Sequence, residues 1–436
     1  MMRFAALGLS VALGTVVLAA CSSDEATPTP SASPTPAAVT PSATAPPALT
    51  ATSTATAEPT PLPPPVDAFT GTGQLGTPRW LHTATLLDDG RVLVTGGSAT
   101  YEGLLASAEL FQPGSPVSSG EGDPQHPAMF IGGFFETGPL NEARQTHAAT
   151  RLADGRVLIT GGVAEGGAAG TLSSAEIYDP AAGTFQPAGE MTVPRLAHAS
   201  TLLADGHVLI VGGSGNPYVA EVELFNPETG EFTPTGSMRV GRLFPSLIPL
   251  KDGRVLVAGT GFGELPPPEI YDPATGRFET LLVSDLPADF RWPTSAVGLA
   301  GGRILLTGDC CEDDGFSALP TAAILDPASG MLEVVAPLVE ARFAHEAVLL
   351  FDGRVLLTGG LAAGQEGGPR LASAELFDPR SREFTAVGPM TDVRQWHTMT
   401  PLADGDVLII GANGDPYVRS AERFGPRSIA APWRGW

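Results

Sequence analysis

The chain has 436 residues, and its 47 acidic side chains outnumber its 24 basic ones, which gives a formal net charge of −23. This length allows two or three ordinary domains or one large repeat domain, and a hydrophobic fraction of 43% can fill a sizeable core. No basic cluster offsets the acidic surplus, which argues against a nucleic-acid partner. The 53 glycines and 42 prolines indicate many turns and at least one unstructured stretch.

Residues 1–21 have the pattern of an export signal. A short positive start at Arg3 precedes an apolar run from Phe4 to Ala20, which is too short to span a membrane comfortably. The run ends on Leu-Ala-Ala-Cys, residues 18–21, which resembles the lipobox of bacterial lipoproteins. The resemblance implies that Cys21 is lipidated on its sulfur and anchors an exported protein at the bacterial cell surface. The alternatives are an ordinary signal peptide or a transmembrane span.

Residues 22–66 are almost entirely Thr, Pro, Ala and Ser and contain no aromatic residue. Such a segment cannot bury enough apolar surface to offset the entropy lost on ordering. We therefore expect a disordered, extended linker that holds the rest of the chain away from a membrane.

The remaining sequence is built from seven similar units. A glycine marks the first turn of each unit, and successive spacings of 65, 51, 47, 49, 51 and 52 residues separate Gly90, Gly155, Gly206, Gly253, Gly302, Gly353 and Gly405. A period near this length indicates a repeat architecture.

Each unit predicts four antiparallel strands, here named A to D in chain order. An Asp-Gly pair or its equivalent between two apolar runs is a strong hairpin signal for A and B. One such sheet cannot cover both of its faces, so we expect seven sheets around an axis in an all-β, seven-bladed β-propeller over residues 67–427, followed by a C-terminal tail at 428–436. Residues Phe69 to Leu75 have the pattern of a strand D, but no strands A to C precede them. Residues 420–426 have the pattern of a strand C, but no strand D follows them. We expect the N-terminal strand to complete the last blade, which leaves no open edge.

The double glycines of strand B and the recurring text "SAELFDP" and "DGRVL" resemble kelch repeats. They are similar to a bacterial kelch group related in fold to galactose oxidase, over about residues 68 to 426. The resemblance implies four-stranded kelch blades. It does not imply an activity, because propellers carry many different chemistries.

The face that carries the B–C loops and the D–A connections is the predicted working face. Its B–C loops vary in length and sequence, whereas the turns of the opposite face are mostly short and uniform, with an insertion at Pro113 to Gly133 as the exception. Aromatic residues on this face suit stacking on a sugar or contact with a protein partner. The candidates are Trp80, Trp292, Trp396, Phe244, Phe343, Tyr218 and Tyr417. The alternative is wedge packing between blades.

Three residue types recur at fixed places in the units. Every D–A connection carries an Arg, followed three positions later by His82, His147, His198, Pro245, Thr294, His345 and His397. Five histidines near an axis invite a metal hypothesis, but one per blade favours hydrogen bonds to the backbone of the neighbouring blade. A Glu recurs in strand C of every unit except the fifth, where Ala323 takes its place. The sequence therefore predicts Arg–Glu pairs within or between blades. Such repetition favours architecture over catalysis.

The fifth unit departs from the pattern. It carries Asp-Cys-Cys-Glu-Asp-Asp-Gly at residues 309–315, where Cys310 and Cys311 could form a vicinal disulfide in an exported protein. The adjacent acidic residues could hold Ca²⁺, although their spacing does not match an EF-hand. The default expectation is a solvated loop.

These features favour a binding module for a carbohydrate or protein ligand, monomeric and without a cofactor, over an enzyme. The alternative is a copper-radical or other carbohydrate-active enzyme similar to galactose oxidase. In that family a Tyr precedes a channel His and both bind copper, but here the corresponding residues are Leu81, Thr146, Ala197, Ala344 and Trp396. The chain also lacks the common hydrolase, zinc-protease and phosphate-loop motifs.

Overall fold

The chain folds as seven four-stranded antiparallel sheets, which confirms the predicted all-β, seven-bladed β-propeller. The computed structural model describes residues 67–100, 103–114, 116–117, 129–130, 132–165, 170–214, 218–259, 266–284, 295–309, 318–362, 368–412 and 418–425. The predicted signal at 1–21, the linker at 22–66 and the tail at 428–436 lie outside these residues.

The first four blades take strands A to D from consecutive stretches of the chain. Blade 1 has Thr83–Leu86, Val92–Thr95, Ala108–Gln112 and Gly133–Thr137, and blade 2 has Ala148–Arg151, Val157–Thr160, Ser174–Asp179 and Thr184–Glu190. Blade 3 has Ala199–Leu202, Val208–Val211, Val222–Asn226 and Glu231–Pro234, and blade 4 has Ser246–Pro249, Val255–Ala258, Glu269–Asp272 and Arg277–Thr280.

The last three blades follow the same order, except that blade 7 takes its strand D from the other end of the chain. Blade 5 has Ser295–Gly298, Ile304–Asp309, Leu319–Asp326 and Met331–Val334, and blade 6 has Glu346–Leu349, Val355–Thr358, Ala374–Asp378 and Glu383–Val387. Blade 7 has Thr398–Pro401, Val407–Ile410, Ser420–Gly425 and Ala68–Gln74. Two short ribbons lie outside the blades: Pro116–Val117 with Met129–Phe130, and Arg342–Phe343 with Leu361–Ala362.

The A–B turns form as the sequence predicts. In all seven turns the marker glycine has a φ between +83° and +100°, a region that L side chains rarely adopt. In the first turn the N–H of Leu87 donates to the carbonyl of Arg91 over 2.8 Å and closes the hairpin. These tight turns give the seven A–B connections of this face the same shape.

The hydrophobic core lies between blades rather than within them. Each of the seven pairs of adjacent blades shares a cluster of buried apolar side chains. Between blades 1 and 2, for example, Leu93 packs with Ile159 and Tyr178, all less than 2% exposed. A single blade could not bury these surfaces, so the ring is the smallest stable unit.

The N-terminal strand closes the ring, as the sequence predicts. Ala68–Gln74 pairs antiparallel with Ser420–Gly425 at the outer edge of blade 7. Opposite residues Phe69 and Phe424 place their ring centroids 4.9 Å apart. This pairing joins the two ends of the propeller and covers the edge of the last sheet.

Strand A is the innermost strand of each blade. Each strand A contacts the strands A of both neighbouring blades, so the seven strands surround a central channel. The strands begin on the face that carries the D–A and B–C connections. The segments just before strand A therefore surround the mouth of the channel on this face.

Candidate functional site at the channel mouth

A buried ion pair joins each described D–A arginine to strand C of the same blade. The arginine side chains are fully buried, and the Arg–Glu distances are 2.7–3.1 Å. The pairs are Arg79–Glu109, Arg144–Glu176, Arg195–Glu223, Arg242–Glu269, Arg342–Glu375 and Arg394–Glu422. The prediction of Arg–Glu pairs is confirmed, and the partners lie within blades. Arg291, the arginine of the fifth unit, lies outside the described residues.

Each ion pair also fastens the backbone. Glu109 accepts a hydrogen bond from the N–H of Gly76 over 2.7 Å, and Arg79 donates to the carbonyl of Gly96 over 2.9 Å. Both charged groups are therefore occupied by structural bonds, and the same arrangement repeats around the ring. This network fixes the D–A connections in position and leaves little capacity for catalysis.

The five repeated histidines are buried and bond to threonine hydroxyls on the preceding blade. The Nε2–Oγ1 distances of 2.7–3.1 Å belong to His82–Thr398, His147–Thr83, His198–Thr160, His345–Thr307 and His397–Thr358. The structural role that we expected fits this geometry, but the expected backbone partner is wrong, because a side chain takes its place. Desolvation lowers the pKa of His82, His198 and His345 to about 3, so these imidazoles are neutral at pH 7.

The first glycine of the double-glycine signature makes room for these histidines, except at Gly212, which faces Pro245. A Cβ added at Gly96 would lie 2.5 Å from the carbonyl oxygen of Arg144 and 2.9 Å from the ring of His147. Gly411 faces the ring of His82 in the same way, although the second position of its signature is Ala412. The first glycine thus marks the place where one blade contacts the histidine of the next.

The residues two positions after each D–A arginine form the channel mouth. Six of them are described, and each has a φ of 48–55° although none is glycine: Leu81, Thr146, Ala197, Phe244, Ala344 and Trp396. Backbone hydrogen bonds of 2.8–3.0 Å hold part of this ring, from Thr146 to Leu81, from Ala197 to Thr146 and from Phe244 to Ala197. A left-handed conformation is uncommon for such residues and persists where its surroundings enforce it. The repeat therefore places one residue of each described D–A connection at the channel mouth.

Two of these side chains meet across the channel. The rings of Phe244 and Trp396 have centroids 5.4 Å apart and planes inclined by 31°. Phe244 precedes strand A of blade 4 and Trp396 precedes strand A of blade 7, on nearly opposite sides of the ring. Both side chains are only partly buried. The pair thus partly covers the mouth and offers aromatic surface to solvent.

Among the described first residues of the seven strands A, one is a carboxylate, Glu346, which lies just inside the mouth. It is the first residue of strand A in blade 6, and its side chain is exposed. The other blades have small neutral residues at this position: Thr83, Ala148, Ala199, Ser246, Ser295 and Thr398. Protein surrounds the channel, so desolvation raises the pKa of Glu346 to about 7 even though water reaches the carboxylate. Glu346 was not among the predicted site residues, although the contrast between "AHEAVLL" in blade 6 and "AHASTLL" in blade 3 signals it.

The other candidate aromatic residues have different surroundings. Trp80 is 3% exposed, and its backbone exchanges hydrogen bonds of 3.1 and 2.9 Å with Ser98. Phe343 takes the equivalent place and pairs with Leu361. Tyr218 packs with Phe244 against one small apolar cluster. Trp80 is therefore buried against the B–C loop of its own blade, whereas Phe244, Trp396 and Tyr218 are only partly buried on the mouth face.

Several predicted positions lie outside the described residues. These are Cys21, Trp292, Tyr417, Cys310 and Cys311, together with most of the acidic loop of the fifth unit. The vicinal disulfide, the calcium site and the lipid anchor stay predictions.

The family profile of the Kelch motif matches residues 195–239, which run from the arginine of blade 3 through its four strands. A Kelch motif within a seven-bladed propeller supports a kelch-repeat β-propeller. Comparison with the curated proteins finds no match to this kelch propeller.

A solved structure with a similar fold is a fungal alcohol oxidase of the AA5 family in complex with copper. The TM-score is 0.62 and 18% of residues are identical, over 83% of this chain and 76% of the oxidase chain. At this identity the similarity shows a shared propeller fold and nothing about activity.

The described residues of the kelch propeller do not fit a copper site of the expected kind. Among them, no three His, Cys, Asp or Glu side chains come together as metal ligands. The five histidines lie in five different blades, and each Nε2 already bonds to a threonine. The described mouth residues that precede a histidine include no tyrosine.

Across the described ranges, no helix has the length and apolar character needed to cross a membrane.

Proposed function

We propose that this protein is a lipid-anchored binding module at the bacterial cell surface, which takes a carbohydrate or protein ligand at the channel mouth. The observation that carries the proposal is the pair of partly exposed rings of Phe244 and Trp396, which meet across the channel. Repeated structural bonds occupy the Arg, His and Glu side chains around them. The residues that differ from blade to blade are therefore the ones available for recognition.

The rigidity of the mouth supports this proposal. All six described mouth residues are held in a left-handed conformation, and backbone bonds between blades link four of them, so a ligand loses little free energy in ordering the site. Aromatic side chains contribute a large contact area with few rotatable bonds, and they dominate many binding sites. A narrow mouth favours a protruding group, such as one sugar residue or one side chain of a partner protein.

A glycan array and a protein pull-down with the full chain test the proposal. We expect a ligand whose affinity falls about tenfold or more in Trp396→Ala and in Phe244→Ala, since truncating a central aromatic contact costs about 1–3 kcal/mol.

Phe351→Ala is the matched control for these variants. Phe351 is 54% exposed and lies in the A–B turn of blade 6, on the opposite face of the propeller. Its truncation should leave binding unchanged. The proposed site is refuted if the recovered ligand binds Trp396→Ala and Phe244→Ala as tightly as it binds the unaltered chain.

The cellular location of the protein is a separate part of the proposal. It rests on the Leu-Ala-Ala-Cys sequence at residues 18–21 and on the polar linker that follows. Metabolic labelling with a fatty acid should label the full chain in bacterial cells, whereas Cys21→Ala should remain unlabelled. Equal labelling of both chains would remove Cys21 as the anchor.

A copper-radical oxidase is the second candidate, and only its fold similarity to the AA5 oxidase favours it. Metal analysis of the full chain expressed with added copper decides between them. The binding module predicts no stoichiometric copper, whereas an oxidase predicts about one copper per chain and an absorbance band from a tyrosyl radical.

A further inference from the structure

The carboxylate of Glu346 lacks a counter-charge among the described residues. No ion pair or side-chain hydrogen bond joins it to another described residue, and desolvation alone accounts for its raised pKa. A carboxylate in such a place costs free energy when it is ionised. A carboxylate that occurs at this position in only one blade, with no counter-charge in the described part of the chain, points to a ligand rather than to architecture.

The described D–A arginines of the same blade and of blade 7 are already neutralised. Arg342 and Arg394, which precede strand A in blades 6 and 7, are fully buried and pair with Glu375 and Glu422 over 2.8 Å. These arginines therefore cannot serve Glu346.

The imidazoles on either side are not cationic either. His345 directly precedes Glu346, and His397 bonds to Thr358, which lies opposite Glu346 in the strand register. Burial holds the pKa of both histidines far below 6.5, so they are neutral at pH 7.

The aromatic pair lies at the same end of the channel. Glu346 follows the mouth residue Ala344 by two positions, and Trp396 holds the equivalent mouth position in the adjacent blade, whose strand A contacts that of blade 6. The face of an indole or phenyl ring attracts a cation, and a carboxylate supplies its counter-charge. Together these groups have the chemistry of a site for an ammonium ion.

We propose that the channel mouth selects ligands that present a primary ammonium group, with Glu346 as the counter-charge and Trp396 and Phe244 as the aromatic cover. This inference rests on the proposed function, because it names the ligand chemistry of the same mouth. The ammonium could belong to an amino sugar or to a lysine side chain, and both sources share the chemistry that the site recognises.

Calorimetric titration of the full chain tests the inference with two pairs of probes. Glucosamine is compared with N-acetylglucosamine, and Nα-acetyl-lysine amide with its Nε-acetylated form. In at least one pair we expect the charged probe to bind about tenfold more tightly than its neutral counterpart. The pair that shows the difference identifies the source of the ammonium.

Two variants separate the charge from the fold. Glu346→Gln should abolish the preference for the charged probe. The control Glu383→Gln removes the same charge from strand D of the same blade, where Glu383 is exposed, and this variant should keep the preference. In the unaltered chain, binding near pH 7 should also release protons, because an ammonium beside Glu346 lowers its pKa. Titrations in buffers of different ionisation enthalpy measure this release, and Glu346→Gln should lose it.

The inference is overturned if the charged probes fail to bind, if they bind no better than the neutral ones, or if Glu346→Gln retains the preference. If neutral probes bind and Trp396→Ala weakens them, the proposed binding site survives without the ammonium. If Trp396→Ala and Phe244→Ala change nothing for any ligand that binds, the proposed function fails as well.

Discussion

The ring of Phe244 lies against the ring of Trp396, with centroids 5.4 Å apart, although the two residues belong to blades on nearly opposite sides of the channel. Backbone bonds between blades hold Phe244 in place, and both residues adopt the left-handed conformation that all six described mouth residues share. The propeller thus uses one repeated backbone position to bring distant parts of the sequence to a single point. Changes confined to that position alter the mouth without altering the blades.

The buried histidines make the fold sensitive to acid. The pKa of His198 is lowered to about 3 in the folded chain, against about 6.5 when it is exposed, so the unfolded chain binds protons first as the pH falls. Its contribution to stability is fully present above pH 6.5 and is lost between there and pH 3. We expect the Tm to fall between pH 7 and pH 4.5, and to fall less in His198→Gln. Identical pH dependence in both chains would contradict the assignment.

Removing one acid from a buried ion pair should destabilise the whole ring. Glu223→Gln leaves the fully buried Arg195 without its charged partner, which lies 2.9 Å away. A buried charge left uncompensated costs about 3–5 kcal/mol. Guanidinium unfolding should show that loss, whereas the control Glu383→Gln, on an exposed strand, should change stability by about 0.5 kcal/mol or less. A small effect of Glu223→Gln would show that the Arg–Glu pairs do not fasten the blades.

The closing strand should contribute to the stability of the entire propeller. Phe69→Ala removes the ring that packs on Phe424 and should cost about 2 kcal/mol, because Phe69 is only partly buried. Denaturant unfolding measures the loss, and Phe351→Ala, which truncates an exposed ring, provides the control. If Phe69→Ala is as stable as the control, the N-terminal strand does not hold the ring closed.

Glu346 should oppose stability at alkaline pH. Its pKa in the folded chain is about 7, above the ordinary value of 4.5, so its contribution to stability is present below pH 4.5 and is lost as the pH rises through 7. Glu346→Gln should therefore melt at a higher temperature than the unaltered chain at pH 8 and at the same temperature at pH 4.5. A lower Tm for the variant at pH 8 would indicate that Glu346 has a stabilising partner.

Much of the architecture could be predicted because it repeats. The seven glycine-marked turns, the strand near Phe69 and the Arg–Glu pairs each follow from residues that recur at fixed spacing. Repetition also shows what is structural, as in the case of the five histidines. The identity of their partners was harder to predict, because Thr358 and His397 lie in different blades and only the assembled ring brings them together.

The residues of the channel mouth could be predicted from the sequence only in part. Trp80 and Trp396 look alike in the sequence, but Trp80 stands one position earlier in its unit, and that position pairs with the B–C loop. A shift of one residue thus separates a buried ring from a partly exposed one. The contact between Phe244 and Trp396 depends on the diameter of the ring, which no local pattern specifies.

Hydroxyl-radical footprinting of the full chain, with and without the ligand recovered from the array or pull-down, tests the channel mouth most directly. We predict that the ligand protects Trp396 and Phe244 from oxidation, while Phe351 on the opposite face is oxidised equally in both samples. Unchanged oxidation of Trp396 and Phe244 in the presence of saturating ligand would contradict the assignment of the channel mouth as the binding site.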